Sequence, residues 1–166
     1  MQYRRSLLLF FLFLAGAGVF VWFTSQSMPN VVASHFGTSG SANGFMPRDY
    51  YVLFILTFVV GLPLLLLVGT YVALASPRVR INLPHREYWL APARRAETVS
   101  FLRAHSVWFA AMLVAFLCYV HWLVVRANQV QPVQLSTPGL LAGLGIFFAA
   151  MFFWAMAMIR RFSHRP

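Results

Sequence analysis

Four long apolar blocks alternate with polar segments along this chain, at residues 7–23, 50–75, 106–125 and 139–159. Each block has close to the length of about 20 residues that a helix needs to cross a hydrocarbon core of about 30 Å. None of them contains Arg, Asp or Glu, so no charged group opposes insertion into lipid. The pattern predicts an all-α fold, a four-helix transmembrane bundle that forms a single integral membrane domain over residues 1–166.

Local signals refine the bounds of these spans. Gly61-Leu62-Pro63 lies within the second block, where proline removes a backbone donor and predicts a kink. Ser136 or Thr137 is placed to cap the fourth span, with Pro138 at its first helical position. The first block follows two arginines in the manner of a signal peptide. Its apolar run is longer than a usual signal core, which favours an uncleaved first span.

Charge is distributed unevenly between the segments that separate the blocks. All thirteen cations are arginine, against three carboxylates, and the formal net charge is +10. Eleven of them fall on one side of the predicted membrane: Arg4, Arg5, Arg78, Arg80, Arg86, Arg94, Arg95, Arg103, Arg160, Arg161 and Arg165. Only Arg48 and Arg126 fall on the other side. Because Lys and Arg concentrate in cytoplasmic segments, both termini are predicted to lie in the cytoplasm.

Composition argues against a water-soluble domain and against binding of nucleic acid. Hydrophobic residues make up 60% of the chain and charged residues 10%, whereas an ordinary soluble domain has about 25% charged residues. Nucleic acid binding needs a basic face on a soluble surface, but these arginines lie between apolar blocks. They fit a topological role and attraction to anionic lipid headgroups, so the lipid bilayer is the expected partner.

The segment from Thr24 to Asp49 is the only sizeable outer loop. Val31 to Phe36 is predicted to form a short strand, and Asn43-Gly44 and the other glycines of the segment mark turns, so we expect a small hairpin-like cap on the bundle. His35 has two interpretations. It either binds a metal, donates a proton or senses pH, or it hydrogen-bonds the turn backbone and fixes the loop. A zinc site needs three or four ligands, and the outer side offers only His35, Asp49 and, near the end of the third span, His121, so the signal for a metal is weak.

The inner loop contains two prolines, Pro84 and Pro92, on either side of a short aromatic segment with Tyr88 and Trp89. From Pro92 to Arg103 the chain is expected to be helical, with an apolar side toward lipid and arginines toward headgroups, and to lie in the membrane interface. One interpretation makes the loop a docking site for a partner or a lipid headgroup. The other makes it a connector whose charges set the topology.

Other residue combinations carry weaker signals. Cys118 and His121 lie three apart on one helix face, but two ligands do not complete a metal site, so packing is expected. Gly139-x-x-x-Gly143 favours a close helix crossing, within the bundle or between two copies of the chain. No nucleophile elbow, phosphate loop or zinc-protease helix pattern occurs, and no carboxylate lies within a span. No metal or cofactor is therefore predicted, and an enzyme is the least favoured class.

Both loops resemble segments of a bacterial membrane-domain family of unknown function, which also forms the N-terminal part of SdpI-type immunity proteins. The family's outer loop has a Leu-Pro…Pro-x-His-Phe segment with a glycine downstream, and Met28-Pro29…Ser34-His35-Phe36 with Gly40 stands in those places. Its inner loop resembles Asn-x-Pro-Asn-Lys-x-Tyr-Trp-Leu-x-Pro-Glu-Arg-Arg. The positions that match this segment are Asn82, Pro84, Tyr88, Trp89, Leu90, Pro92, Arg94 and Arg95.

The chain departs from the family pattern in the inner loop. His85-Arg86 stands where Asn-Lys would be usual, and Ala93 stands where Glu would be. The resemblance implies residence in the bacterial inner membrane and a role in signalling or immunity, without a known reaction.

The leading hypothesis is a non-enzymatic membrane protein with a sensing outer loop and a partner-docking inner loop. The outer-loop residues are Pro29, His35, Phe36, Gly40 and Gly44, and the docking residues are Asn82, Pro84, Tyr88, Trp89, Pro92, Arg94 and Arg95. A small oligomeric transporter or channel and a structural subunit of a membrane complex are the alternatives. The partner would then be another membrane protein or a second copy of the chain.

Overall fold

Four long helices form a bundle that is capped at one end by a small β-hairpin. The computed structural model describes residues 2–76 and 80–163. The long helices are α1 (Gln2–Ser25), a second span from Arg48 to Ala75, α5 (Pro92–Ala127) and α6 (Thr137–Ser163). All four are long and apolar enough to cross a membrane, which confirms the predicted transmembrane architecture and its four spans.

The second span consists of three helical segments, α2 (Arg48–Leu56), a π-helical turn (Thr57–Gly61) and α3 (Leu62–Ala75). Pro63 has no N–H, and its ring would collide with the carbonyl four residues earlier in a regular helix. The backbone widens by one residue instead, and the Leu62 N–H donates to the carbonyl of Thr57, five residues back. The irregularity predicted at this proline is thus a π turn that immediately precedes it.

α5 is the central helix and contacts α1, the second span and α6. The main core lies between α1, the second span and α5. Its buried members from these helices are Phe10, Leu14, Ala17, Val21, Tyr51, Ile55, Val59, Leu67, Val107, Ala110, Val114, Val124 and Val125. The segment from Pro92 to Arg103 is helical, as predicted, but it continues directly into the third span instead of forming a separate interfacial helix. Pro92 suits this start because the first helical position needs no backbone donor.

α6 packs chiefly against α5 and leaves most of its surface exposed. Tyr119 of α5 makes the contact at the glycines of α6. Its hydroxyl donates to the carbonyl of Gly139 over 2.8 Å, and a Cβ at Gly143 would overlap its ring. The predicted close crossing at these two glycines therefore lies within the bundle. Ser136 caps the helix as predicted, since its Oγ accepts from the Gly139 N–H over 3.1 Å.

The hairpin consists of two antiparallel strands, β1 (Val31–Phe36) and β2 (Ala42–Pro47). The predicted strand at Val31 to Phe36 is confirmed. Of the glycines predicted to mark turns, Gly37 and Gly40 do so, since the chain reverses between Gly37 and Ser41. The turn predicted at Asn43-Gly44 is wrong, because these two residues lie inside β2. Gly40 has a φ of 84°, a left-handed conformation that glycine adopts without the Cβ penalty. Gly44 then pairs with His35 of β1, and Asn43 is the extra residue at a shift in the strand register.

The bundle has two chemically different ends, which we call the hairpin end and the arginine-rich end. α1 and α6 place both ends of the described chain at the arginine-rich end, together with α4 (Arg86–Trp89) of the inner loop. Of the eleven arginines predicted on this side, Arg78 and Arg165 lie outside the described residues. That this end faces the cytoplasm stays a prediction.

Candidate functional site

His35 lies on β1 with its side chain exposed. Its Nδ1 is 3.1 Å from the hydroxyl of Ser34. It pairs across the hairpin with Gly44, where an added Cβ would come within 3.0 Å of the His35 Cβ. The strand register is irregular on both sides of His35, so Gly44 provides room for the imidazole at a bulge. Whether His35 senses a ligand or only fixes the loop stays a prediction.

The other predicted outer-loop residues attach the hairpin to the bundle or flank it. Gly40 is buried, and its carbonyl accepts from the Leu135 N–H over 2.8 Å. A Cβ at Gly40 would overlap the carbonyl of Leu135, so only glycine allows this approach. Phe36 packs against the main core, whereas Pro29 is exposed at the start of the loop.

His121 is the best-defined polar site of the molecule, and it lies fully buried on α5 near the hairpin end. Its Nε2 is 2.8 Å from the hydroxyl of Thr24 on α1, and its Nδ1 is 2.9 Å from the hydroxyl of Tyr51 on α2. The Tyr51 ring stacks on the imidazole at 5.8 Å, and Phe20 meets it edge-on at 5.9 Å. One imidazole therefore joins three helices.

The direction of these hydrogen bonds follows from their remaining partners. Thr24 has one hydroxyl proton. Its Oγ1 lies 2.7 Å from the carbonyl oxygen of Phe20, which can only accept, so the proton is donated there. Its oxygen is then left to accept from the Nε2–H of His121, which leaves Nδ1 as an acceptor for the hydroxyl of Tyr51. This neutral chain satisfies every donor in the site, and the buried imidazole needs no charge.

Asn128 attaches the hairpin at the end of α5. Its Oδ1 accepts from the Ala33 N–H over 2.8 Å, and its Nδ2 donates to the carbonyl of Ala33 over 3.0 Å. Nδ2 also donates to the carbonyl of Val124 over 2.9 Å. The side chain is buried and pairs with β1 as a neighbouring strand would. Because buried amides need such partners, Asn128 determines where β1 lies on the bundle.

Sequence reasoning singled out neither of these polar contacts as a site. His121 was considered only as a metal ligand, beside Cys118 or together with His35 and Asp49, and Asn128 was not considered. Cys118 packs against the main core, as predicted. Within residues 2–76 and 80–163, no three His, Cys, Asp or Glu side chains come close enough to hold a metal ion. The sequence offered one signal for the His121 site, because Thr24, Tyr51 and His121 each lie at the outer end of one of three successive spans.

The inner loop folds back onto the arginine-rich end through Trp89. Its ring meets Phe162 of α6 edge-on at 5.4 Å, and its carbonyl accepts from the Thr98 hydroxyl over 2.8 Å. Phe162 belongs to a second core cluster together with Leu74 and Leu102, and Trp89 packs against this cluster. Trp89, a predicted docking residue, is therefore engaged by the chain's own residues and holds α4 in place.

Arg94 is exposed at the start of α5, and Tyr88 of the same inner loop is half-buried beside it. The guanidinium carbon of Arg94 lies 3.8 Å from the centroid of the Tyr88 ring, a cation–π contact. Asn82, Pro84 and Pro92 are exposed as well, and Arg95 is half-buried. The predicted docking residues are thus of two kinds. Trp89 faces inward, and the others form what we call the outer group: Asn82, Pro84, Tyr88, Pro92, Arg94 and Arg95.

Two further contacts join α5 to α6 at this end. Arg161 forms a 2.6 Å ion pair with Glu97, although the Glu97 side chain is 75% exposed. About two helical turns beyond Glu97 on α5, His105 and Trp154 exchange hydrogen bonds. The His105 Nε2 lies 3.0 Å from the carbonyl of Trp154, and the Trp154 Nε1 donates to the carbonyl of His105 over 3.0 Å. The two rings stack at 4.4 Å, so the imidazole is used in helix packing.

Part of the chain matches a known protein family. Residues 9–67 match the family described as Domain of unknown function (DUF1648). The matched region contains Thr24, His35 and Tyr51 and ends before the inner loop. Neither the curated proteins nor the solved structures include a significant match. The chain is thus a multi-pass membrane protein with a domain of uncharacterised activity, and the relation to SdpI-type immunity proteins stays a prediction.

Proposed function

We propose that this chain is a non-enzymatic membrane protein of the signalling or immunity type. Its hairpin receives an extracytoplasmic ligand or partner, and its inner loop docks a cytoplasmic partner. The observation that carries the proposal is the continuity of α5 from Pro92 to Ala127. Thr98 near one end of this helix holds Trp89 of the inner loop, and Asn128 at the other end holds Ala33 of the hairpin.

The outward face of the hairpin supports a binding role. Its exposed side chains combine apolar and polar character in Val31, His35, Asn43 and Phe45. Val31 is 59% exposed and Phe45 is 60% exposed, although the hairpin has a buried side available for apolar residues. Exposed apolar residues next to polar ones are typical of surfaces that meet another protein or the membrane boundary.

The outer group of the inner loop supports a docking role. The guanidinium of Arg94 lies over the half-buried ring of Tyr88, and Arg86 is exposed at the start of α4, which Trp89 anchors from inside. Aromatic and arginine side chains are enriched where proteins bind each other, since both form large contacts with little ordering. An acidic segment of a membrane protein fits this chemistry. Trp89 then acts as a positioning residue.

Cross-linking in native membranes tests the proposal on the full chain. A photoreactive residue replaces Ser39 at the hairpin turn or Glu87 in the inner loop, and adducts are compared between variants. Phe45→Ser with His35→Ala is expected to remove hairpin adducts, and Tyr88→Ala with Arg94→Ala is expected to remove inner-loop adducts. Thr38→Ala is the matched hairpin control, because this exposed side chain lies outside the outward apolar face. Adducts that persist unchanged in both double variants would contradict the proposal.

A second candidate is a small oligomeric transporter or channel, or a structural subunit of a membrane complex. The observation that favours it is the exposed apolar surface of α6, where Phe148 is 64%, Phe152 is 60% and Phe153 is 70% exposed. Lipid covers such a surface as well as a second helix does. Solute flux in reconstituted vesicles, together with an oligomer in mild detergent, would favour the transporter. A monomer without flux would exclude it.

A further inference from the structure

A cleft opens at the arginine-rich end between the end of α3 and the first turns of α5. Its volume is about 550 Å³. Arg95, Val99, Ser100 and Arg103 line it from α5, and Leu74 and Ala75 line it from α3. Residues three and four positions apart share one face of a helix. The α5 residues therefore form a continuous wall with a guanidinium group toward each end.

Among the described residues, positive charge in this cleft has no counter-charge, and no carboxylate lines the cleft. Within the same part of the chain, the side chains of Arg95 and Arg103 have no ion pair and no hydrogen bond. The guanidinium carbon of Arg103 lies 5.2 Å from the centroid of the Tyr71 ring, and its Nε is buried without an acceptor among the described residues. The nearest acidic residue in sequence, Glu97, pairs with Arg161 instead. A buried guanidinium donor without a partner is costly, so an anion would stabilise this arrangement.

The cleft lies where the polar first turns of α5 meet its apolar part. Arg103 lies three residues before the apolar part of α5, which begins at residue 106, and Arg95 lies two helical turns further toward water. Leu74 and Val99 provide apolar walls between these arginines. A free inorganic anion would use only the guanidinium groups, whereas a phospholipid would use the apolar walls too.

We propose that this cleft binds one anionic phospholipid, with the guanidinium group of Arg103 as the ligand of its phosphate. Arg95 lies eight residues, about 12 Å, further along α5 and adds positive charge at the outer end of the cleft. The glycerol lies against Leu74, and the acyl chains continue toward the apolar part of α5. Guanidinium groups match phosphate oxygens with paired hydrogen bonds, which an ammonium group cannot do. This site needs no protein partner, so it stands apart from the docking surface of Tyr88 and Arg94.

Native mass spectrometry of the full chain, released from nanodiscs of phosphatidylcholine with phosphatidylglycerol, tests the proposal. The wild type is expected to retain one phosphatidylglycerol in preference to phosphatidylcholine. Arg95→Gln with Arg103→Gln is expected to lower the apparent affinity for phosphatidylglycerol about thirtyfold. Arg95→Lys with Arg103→Lys should lose less, because charge is kept and only the paired geometry is lost.

Two further variants separate this site from general attraction and from misfolding. Arg5→Gln with Arg160→Gln removes the same charge from exposed positions at the same end and should leave the retained lipid unchanged. Ala96→Trp fills the cleft with both arginines present and should also release the lipid. An equal loss in the Arg5 and Arg160 variant would reduce the effect to diffuse attraction and overturn the proposal. So would retained lipid in the Arg95 and Arg103 variant, or full displacement by inorganic phosphate at millimolar concentration.

Discussion

At the hairpin end, the helices are joined by buried hydrogen bonds between neutral groups. The arginine-rich end has such bonds too, at His105 and Thr98, but its outermost contacts are those of cations with ring faces and with a carboxylate that remain partly exposed. His121 reaches Thr24 and Tyr51 within 2.9 Å and is 0% exposed. Glu97 reaches Arg161 within 2.6 Å, yet its side chain is 75% exposed. The distances are similar, and the surroundings differ.

This difference predicts unequal stability at the two ends. A buried donor that loses its partner keeps the full cost of desolvation. An exposed ion pair exchanges its partner for water and is weakened further by salt. The hairpin end should therefore be the rigid end. The arginine-rich end should rearrange easily, as a surface that docks a lipid or a protein must.

Replacing His121 should have the largest effect on stability. His121→Leu removes both contacts and leaves the Tyr51 hydroxyl without an acceptor, so we expect a loss of about 3 kcal/mol in the free energy of unfolding. Reversible unfolding in mixed micelles measures it. Adding Tyr51→Phe to this variant should recover about 1 kcal/mol, because the unpaired hydroxyl is removed. A further loss in the double variant would contradict the expectation that the Tyr51 hydroxyl depends on His121 as its partner.

Detaching the hairpin should come second. Asn128→Ala removes the side chain that pairs with Ala33, and we expect a loss of about 2 kcal/mol. Hydrogen exchange at the Ala33 amide should accelerate, with little change in the amides of α6. Gln129→Ala is the matched control, since this neighbouring amide bonds an exposed hydroxyl, and it should change stability by less than about 0.5 kcal/mol. Equal effects of the two variants would remove the contrast between buried and exposed contacts.

Breaking the ion pair between Glu97 and Arg161 should have a smaller effect. Glu97→Gln is expected to lower the free energy of unfolding by about 0.5 kcal/mol at low salt. The difference from wild type should vanish in about 1 M salt, where screening acts over a few ångströms. Glu87→Gln serves as the control, because Glu87 forms no ion pair within the described residues. A loss above about 2 kcal/mol that persists in salt would make this end as rigid as the hairpin end.

The contact between Tyr88 and Arg94 should be the weakest. Tyr88→Leu removes the ring face under the guanidinium, and we expect a loss of about 0.5 kcal/mol in the local stability of the loop. Trypsin cleavage after Arg94 should then become about twofold faster. Tyr88→Phe keeps the ring face and should cleave at the wild-type rate. Equal rates for the Leu and Phe variants would show that the ring does not hold Arg94.

Sequence patterns predicted the spans well because the bilayer imposes one rule on every residue of a span. Each apolar block became a helix, and Ser136 capped α6 as its position indicated. The turn at Asn43-Gly44 was wrong, because a turn dipeptide is also tolerated in an edge strand at a bulge. His35 received more attention than His121, since a lone polar residue in a loop is easier to notice than one inside an apolar block.

The sequence by itself determined that the chain crosses the membrane with four helices, which end near the positions where apolar blocks meet polar segments. That follows from local composition, because a backbone in lipid has to satisfy its own hydrogen bonds. Only the tertiary structure decided that Thr24, Tyr51 and His121 meet, that Trp89 turns inward and that Arg95 and Arg103 share a cleft. Those outcomes depend on which helix faces which, and residues 97 positions apart carry no sign of each other until the helices pack.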